Sequence, residues 1–155
     1  MTPPIFPVAR LSLREQQVLQ DIAAGDSLPA IAQRLEIEYN TVVSYAKRAR
    51  FKLRCVKDAG AAVAVGYATG AISPPLLLEA AALSVPREQR VLLPLIARGM
   101  RAAEMASALK WPVKVVRATE RALFVALDAR SRPHLVTRAW ERRMLTAEQV
   151  ISWLR

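Results

Sequence analysis

Apolar residues recur at three- and four-residue intervals along most of the chain, which is the spacing of the inner face of an α-helix. The first such stretch follows Ser12, and Glu15 three positions later completes the capping-box pattern of a helix start. The stretch ends at Gly25, a residue type that commonly follows the last turn of a helix. The pattern therefore predicts a first helix between these signals, with an inner stripe of Val18, Leu19, Ile22 and Ala23.

Three more helices are predicted in the first half of the chain. The second runs from about Leu28 to Leu35 and is followed by a short connection. Asn40 is expected to be the N-cap of the third helix, because an asparagine oxygen accepts hydrogen bonds from free backbone N–H groups. The fourth covers about Asp58 to Thr69, with Gly70 as its stop. Two short helices joined by a tight turn and flanked by supporting helices form a helix-turn-helix.

The third predicted helix has one apolar and one basic face. On a helical wheel the apolar face consists of Val42, Tyr45, Ala46, Ala49 and Leu53. The opposite face carries Val43, Ser44, Lys47 and Arg48. No acidic residue lies between positions 40 and 57, where the basic residues are Lys47, Arg48, Arg50, Lys52, Arg54 and Lys57. A solvated face normally mixes both signs of charge, so this stretch indicates an anionic partner.

The first half of the sequence recurs in the second half. Arg14-Glu15-Gln16 returns 73 positions later as Arg87-Glu88-Gln89, and Gly25 returns 74 positions later as Gly99. The same offset of 74 relates further pairs, such as Val42 with Val116 and Leu53 with Leu127. The pattern predicts two related units, residues 1–72 (the first half) and residues 73–155 (the second half). The second half has one extra residue in its first helix, where Pro94 is expected to produce a kink or bulge.

Composition and charge narrow the classes of function. The chain has 155 residues, a formal net charge of +10 and a sequence pI of about 10.8, a balance that points to nucleic acid or an anionic surface. The longest apolar stretches are too short and too interrupted to span a membrane, and prolines occupy the N-terminus where a signal peptide would be apolar. One cysteine excludes an internal disulfide, and one histidine leaves no cluster for a metal. We therefore expect a cytoplasmic protein without cofactor or metal.

Several motifs together resemble the four-helix DNA-binding domain of LuxR/FixJ-type regulators. In the first half they are "LSLREQQVLQDIAAG", "IAQRL" and "NTVVSYAKRARFKL", followed by an alanine-rich helix. The second half is similar through "PREQRVL", "ARGMRAAEMASAL" and "ARSRPHLVTRAWERRML". The resemblance covers nearly the whole chain. It implies an all-α fold of two tandem four-helix helix-turn-helix units with a short C-terminal extra helix.

The resemblance also implies which residues contact DNA. In the family the outer face of the third helix enters the major groove, which assigns base contacts to Val43, Ser44 and Lys47. Phosphate contacts fall to Asn40, Thr41 and Arg48, a set that suits the N-terminal end of a helix. The later Arg50, Lys52, Arg54 and Lys57 could follow the DNA backbone and add affinity without sequence information. In the second half the matching outward positions are Lys114, Arg117 and Arg121. Arginine is the better bidentate partner for guanine. That half could contact DNA or pack against another surface.

The turn and the second recognition helix depart from the family pattern. Glu36 and Lys110 stand where the family commonly has glycine, and a left-handed backbone there would cost about 1 kcal/mol. The helix of the second half that matches the third helix is expected to begin with Pro112 in its first position. These departures make phosphate anchoring weaker in the second half than in the first.

Three functions are compatible with this sequence. The favoured one is a sequence-specific double-stranded DNA-binding transcription regulator. The second is an adaptor in which at least the second unit binds RNA polymerase or another regulator, and the third is a protein that coats DNA without specificity. No catalytic residues stand out, because the acids are dispersed and no glycine-rich phosphate loop is present. The protein is expected to be a monomer with pseudo-twofold units or a homodimer.

Four smaller features carry expectations of their own. Phe51 is expected to pack against the fourth helix, and Cys55 to be a small core residue. His134 is expected in a loop or at a cap. The segment "LLLEAAAL" at positions 76–83 is expected to help fix the two units together. The last ten residues predict a short amphipathic helix that covers the second unit, with apolar contacts from Val150, Trp153 and Leu154.

Overall fold

The computed structural model describes residues 10–78 and 85–154. Every regular element in those ranges is a helix, so the predicted all-α class is confirmed. The helices of the first half are α1 (Leu13–Ala23), α2 (Leu28–Leu35), α3 (Tyr39–Lys52) and α4 (Ala59–Thr69). Those that follow are α5 (Arg87–Arg90), α6 (Leu92–Ala97), α7 (Ala102–Leu109), α8 (Val113–Ala126), α9 (Arg132–Glu141) and α10 (Ala147–Leu154).

The local signals in the sequence placed most helix ends of the first half correctly. The capping box of α1 is present: the Glu15 backbone N–H donates to Ser12 Oγ at 3.2 Å, and the Ser12 N–H donates to Glu15 Oε1 at 2.8 Å. Asp58 is the N-cap of α4, and its carboxylate accepts from the N–H groups of Gly60 and Ala61. Gly70 ends α4 in a left-handed conformation with φ 77°.

Two predicted helix starts are wrong, that of α3 by two residues and that of α8 by one. Helix α3 begins at Tyr39 with Glu38 as its N-cap, so Asn40 lies inside the first turn. The Glu38 carbonyl already accepts from Thr41 and Val42, which closes the first turn without the asparagine side chain. Pro112 is the N-cap of α8 and not its first helical residue, because its ψ of 138° is extended.

The first helix of the second half is interrupted, as expected from Pro94. The chain leaves the helix at Val91, which separates α5 from α6. Proline has no N–H to donate to the carbonyl four residues earlier, which here belongs to Arg90. Val91 keeps helical angles (φ −63°, ψ −23°), so the interruption is a local break in one helical path and not a change of direction.

From the first glycine onward the two halves have matching backbones. Helices α2 and α7 are 74 positions apart at both ends, and so are α3 and α8. Gly25 and Gly99 have φ of 93° and 87°, and the residues that follow α2 and α7, Glu36 and Lys110, have φ of 56° and 57°. The left-handed turns expected from the sequence are thus present without glycine. A third matching pair of left-handed residues is Arg54 and Asp128.

The two halves share one hydrophobic core. Helix α4 lies at its centre, and all residues from Gly60 to Tyr67 are buried. Helix α9 packs along α4, where the Tyr67 and Thr137 hydroxyl oxygens are 2.9 Å apart and the Tyr67 and Trp140 ring centroids are 5.3 Å apart. A smaller cluster fills the space between α1, α2 and α3, consisting of Val18, Ile22, Ile31, Ala32, Val42 and Ala46.

Three expectations about packing need correction. Helix α10 packs against α4 of the first half and is not confined to the second half. Its Val150 is buried and its Trp153 lies under the Arg98 guanidinium, 5.7 Å from the ring centroid, whereas Leu154 is exposed. Phe51 is 73% exposed, because Ala49 and Leu53 take the inward positions at the end of α3. Within "LLLEAAAL", the residues from Leu76 to Leu78 are exposed, and the other five lie outside the described residues.

Candidate nucleic-acid interface

The turn between α2 and α3 fixes the direction of the candidate recognition helix. Glu36 adopts the left-handed conformation, which lets the Ile37 N–H donate back to the Ala32 carbonyl at 3.1 Å. This arrangement satisfies carbonyls at the end of α2 that would otherwise lack a donor. At the other end of α2, Ser27 Oγ accepts from the Ala30 N–H at 3.3 Å. The helix-turn-helix of the first half is therefore closed at both ends by its own hydrogen bonds.

Helix α3 is seated by its apolar face and by one buried ion pair. Val42, Ala46, Ala49 and Leu53 are at most 2% exposed. Lys52 Nζ lies 2.6 Å from Oε1 of Glu15, a residue of α1 that is only 3% exposed. Burial alone would raise the pKa of Glu15, but hydrogen bonds from Lys52 and Ser12 and the lysine charge outweigh it and lower that pKa. The pair ties the last turn of α3 to α1.

The outer face of α3 carries the base-contact residues that the resemblance implies. Ser44 and Lys47 are exposed, and Val43 is half-buried. The Ser44 hydroxyl donates to the Asn40 carbonyl at 3.0 Å, so at rest this side chain is turned toward its own helix. No acidic side chain of the described residues forms an ion pair with Lys47. Its ammonium group is therefore available to a partner.

The residues assigned to phosphate lie together around the first turns of α3. An open depression of about 320 Å³ is lined there by Asn40, Thr41, Ser44, Tyr45 and Arg48. Asn40 and Arg48 are exposed, and Thr41 is half-buried. The Arg48 guanidinium carbon lies 5.8 Å from the centroid of the Tyr45 ring, an arrangement that holds the long side chain against the helix. The structure thus brings the whole predicted set of the first half onto one surface.

The remaining basic residues of this stretch have two different roles. Arg54 and Lys57 are exposed, in keeping with the expected contacts to a nucleic-acid backbone. Arg50 Nε donates to the Val56 carbonyl at 3.3 Å and helps shape the loop before α4. Lys52 forms the ion pair with Glu15 and is therefore structural, which corrects its expected role in following the backbone.

The outer face of α8 mixes basic and apolar side chains. Lys114, Arg117 and Arg121 are all exposed, as predicted. Val115 is 47% exposed and Val125 81% exposed on the same helix, and Ala118 is exposed between them. Its inner face rests on Val116, Leu123 and Leu127, whereas Thr119 is only half-buried.

The buried ion pair of the first half has no equivalent on α8. The position matching Glu15 is Glu88, which is exposed, and the position matching Lys52 is Ala126. A different pair is present at this helix: Glu120 accepts from Arg132 at 3.0 Å, and Arg132 also donates to the Met100 carbonyl at 2.6 Å. The side chains that hold α8 in place therefore differ from those that hold α3.

Arg130 and His134 lie outside the predicted site, at the contact between the two halves. Arg130 donates to the Ala24 carbonyl at the end of α1, at 2.7 Å. His134, expected in a loop or at a cap, lies in the first turn of α9, is 6% exposed, and accepts from the Arg130 N–H at Nδ1. Burial, followed by the charges of Arg138 and Arg130, lowers the pKa of His134. In the sequence, basic residues before α9 resemble solvated surface, and nothing there marked this contact.

Cys55 behaves as a small partly buried side chain. It packs against the main core, and its Sγ donates to the Leu53 carbonyl at 3.3 Å. Burial, and secondarily the charge of Asp58, raise the pKa of the thiol to about 11. The thiol is therefore protonated at neutral pH, which fits the packing role expected of it.

Comparison with known proteins assigns the first half. Residues 9–65 match the family model of bacterial regulatory proteins of the luxR family, so this part of the chain is similar to a luxR-type helix-turn-helix domain. Every predicted site residue of α3 lies inside that match, and those of α8 lie outside it. No solved structure matches the chain. None of the helices in the described ranges has the length and apolar composition that a membrane span requires.

Two curated relatives match a segment of similar length. Both are described as probable transcriptional regulatory protein NarL, from the CDC 1551/Oshkosh and ATCC 25618/H37Rv strains of Mycobacterium tuberculosis. Each is 48% identical over 61 residues, which is 39% of this chain. The aligned part is only 27% of the relatives' length. The likeness therefore concerns the helix-turn-helix domain and not the rest of those proteins.

Proposed function

We propose that this protein is a sequence-specific double-stranded DNA-binding transcription regulator that reads the major groove with α3 and α8. The observation that carries the proposal is the outer face of α3. That face holds exposed cationic and hydrogen-bonding side chains, is seated by a buried ion pair, and belongs to a domain of the luxR type. The protein acts by binding alone, in the cytoplasm and without a cofactor.

Different residues of α3 have different roles in this proposal. Lys47 donates to guanine acceptors in the groove, Val43 contacts a thymine methyl, and Ser44 exchanges its bond to the Asn40 carbonyl for one to a base. Asn40, Thr41 and Arg48 bind phosphates on the strand beside the N-terminal end of α3. Arg54 and Lys57 add affinity that does not depend on sequence.

Helix α8 is proposed as a second reading helix. The repeated sequence, the matching helix bounds and the matching left-handed turns support this role. Arg117 and Arg121 occupy the places of Val43 and Lys47, so this helix would favour guanine more strongly than α3 does.

A specific observation favours an adaptor as the second candidate function. Val115 and Val125 are exposed on the outer face of α8. Exposed apolar side chains of this kind contact other proteins more than they contact a DNA backbone. In that case α3 binds DNA while α8 binds RNA polymerase or another regulator.

Selection of bound duplexes from a random-sequence library tests the proposed function. The proposal predicts an enriched motif, and binding of that duplex about 10³-fold tighter than random duplex at physiological salt. Binding without enrichment would indicate a DNA-coating protein. Failure to bind any duplex would reject DNA reading and favour the adaptor.

A further inference from the structure

We infer that one copy of this chain presents α3 and α8 as a twofold-related pair, so that a single molecule fills two half-sites arranged in inverted orientation. This inference rests on the proposed function for its DNA target. It concerns the junction between the halves, whose second-half residues lie outside the luxR family match.

The contacts between the halves are reciprocal. Helix α1 of the first half packs against α9 of the second, and α6, the counterpart of α1, packs against α4, the counterpart of α9. Helices α4 and α9 also pack against each other. In a twofold arrangement, each contact between two elements is accompanied by the same contact with the halves exchanged. A head-to-tail arrangement of tandem units produces only one of the two contacts.

Reciprocity extends to matched glycines. A Cβ placed on Gly25, after α1, would lie 2.8 Å from Nδ1 of His134 in the first turn of α9. A Cβ on the matching Gly99, after α6, would lie 3.3 Å from Cβ of Asp58, the N-cap of α4. The end of α1 therefore lies against the start of α9, and the end of α6 lies against the start of α4.

Polar contacts strengthen both ends of this junction. Arg130 of the second half donates to the Ala24 carbonyl of the first at 2.7 Å. Asp58 of the first half lies 3.8 Å from Arg101 and 3.9 Å from Arg132 of the second. With the apolar packing of α4 on α9, these contacts hold the halves in one fixed relation.

Helix α10 makes the junction specific to a single chain. It packs against α4 without a counterpart in the repeat, and every residue of α4 from Gly60 to Tyr67 is already buried. No α4 surface of that stretch is left for a second copy of the chain. We therefore expect a monomer in solution and one molecule on each DNA site.

The twofold relation determines the form of the target. Two recognition helices related by a twofold axis meet successive major grooves as inverted half-sites, about 10 base pairs apart between centres. The helices present different outer residues, Val43, Ser44 and Lys47 against Arg117, Ala118 and Arg121. The half-sites are accordingly different in sequence although inverted in orientation.

Duplexes built from the selected half-sites test the inference. Three duplexes are compared: one has the half-sites inverted, one has them in direct orientation, and one has them inverted with 5 extra base pairs between them. The affinity for each duplex and the mass of each complex are measured. The inference predicts one chain per duplex and about 100-fold weaker binding for the direct and 5-base-pair versions, because only one helix then engages. The double variant Arg117→Ala, Arg121→Ala should bind the three duplexes with nearly equal affinity. Arg143 is an exposed arginine after α9, and Arg143→Ala should preserve the difference in affinity between the duplexes.

The outcomes separate this inference from the proposed function. Equal binding of direct and inverted sites, two chains per duplex, or a dimer of the free protein in light scattering would overturn the inference and leave DNA reading intact. Absence of binding to every duplex would overturn both.

Discussion

At the scale of the residue, identical side chains in one basic stretch have opposite roles. Lys47 is exposed and forms no ion pair within the described residues, whereas Lys52, five positions later, pairs with buried Glu15. The helical wheel correctly put Lys47 outside. It could not identify the role of Lys52, because the partner lies 37 positions earlier in the sequence on another helix.

Lys47→Ala and Arg54→Ala should affect DNA binding in different ways. Lys47→Ala is expected to cost about 1 to 3 kcal/mol at the selected site and to relax the preference at one base position. Arg54→Ala should weaken selected and random duplexes by similar factors, because a phosphate contact carries no base preference. Titrations of both variants against both duplexes measure the difference. Equal losses on every sequence would mean that α3 does not enter the groove as proposed.

At the scale of the element, local signals predicted helices well and contacts between helices poorly. The capping box of Ser12 and the stop at Gly70 depend on neighbours in sequence, and both predictions were correct. Asn40 was misplaced because α3 begins two residues earlier than expected, shortly after the left-handed turn at Glu36. Phe51 and α10 were misjudged because their surroundings are set by packing between distant segments.

Lys52→Met should destabilise the fold by removing the partner of a buried carboxylate. Leaving Glu15 unpaired is expected to lower the free energy of unfolding by about 1 to 3 kcal/mol. The lowered pKa of Glu15 means that its contribution is present above the unfolded-state pKa and is lost as the pH falls. The penalty of Lys52→Met should therefore shrink in acid.

Denaturant titrations at neutral and acidic pH measure this effect. Lys47→Met is the matched control, since that side chain is exposed and its replacement should stay within about 0.5 kcal/mol. Similar stabilities for the two variants would show that the Glu15–Lys52 pair does not secure α3.

Gly25→Ala should weaken the junction between the halves. Gly25 has φ 93°, and an added Cβ would lie 2.8 Å from His134 Nδ1. Gly70→Ala is the control, because Gly70 has φ 77° but no atom within 4 Å of the added Cβ. Both variants bear the backbone strain of about 1 kcal/mol, and only Gly25→Ala adds a clash with α9. Thermal unfolding should show a larger loss of stability for Gly25→Ala than for Gly70→Ala. Equal losses would show that Gly25 does not lie in close contact with α9.

At the scale of the whole molecule, the sequence predicted two related halves but not how they meet. The conserved offset of 74 positions anticipated the matching bounds of α3 and α8. The packing of helices at the junction is reciprocal, but individual side-chain contacts there are not: Tyr67 meets Thr137, and the equivalent positions hold Glu141 and Val63. Comparison of the two halves could not predict such contacts. Of "LLLEAAAL", the side chains of Leu76–Leu78 are exposed, and the described part of the segment meets α9 of the second half through the Leu78 N–H, which donates to the Glu141 carbonyl at 2.9 Å.

The salt dependence of affinity for duplex DNA tests the central claim most directly. An interface that places several exposed lysines and arginines on phosphates releases counterions when it binds. The logarithm of the association constant should therefore fall linearly with the logarithm of salt concentration, by about 0.9 for each phosphate contacted. The selected duplex should retain an advantage over random duplex throughout the titration. A flat dependence, or no measurable affinity for duplex DNA at low salt, would contradict the account.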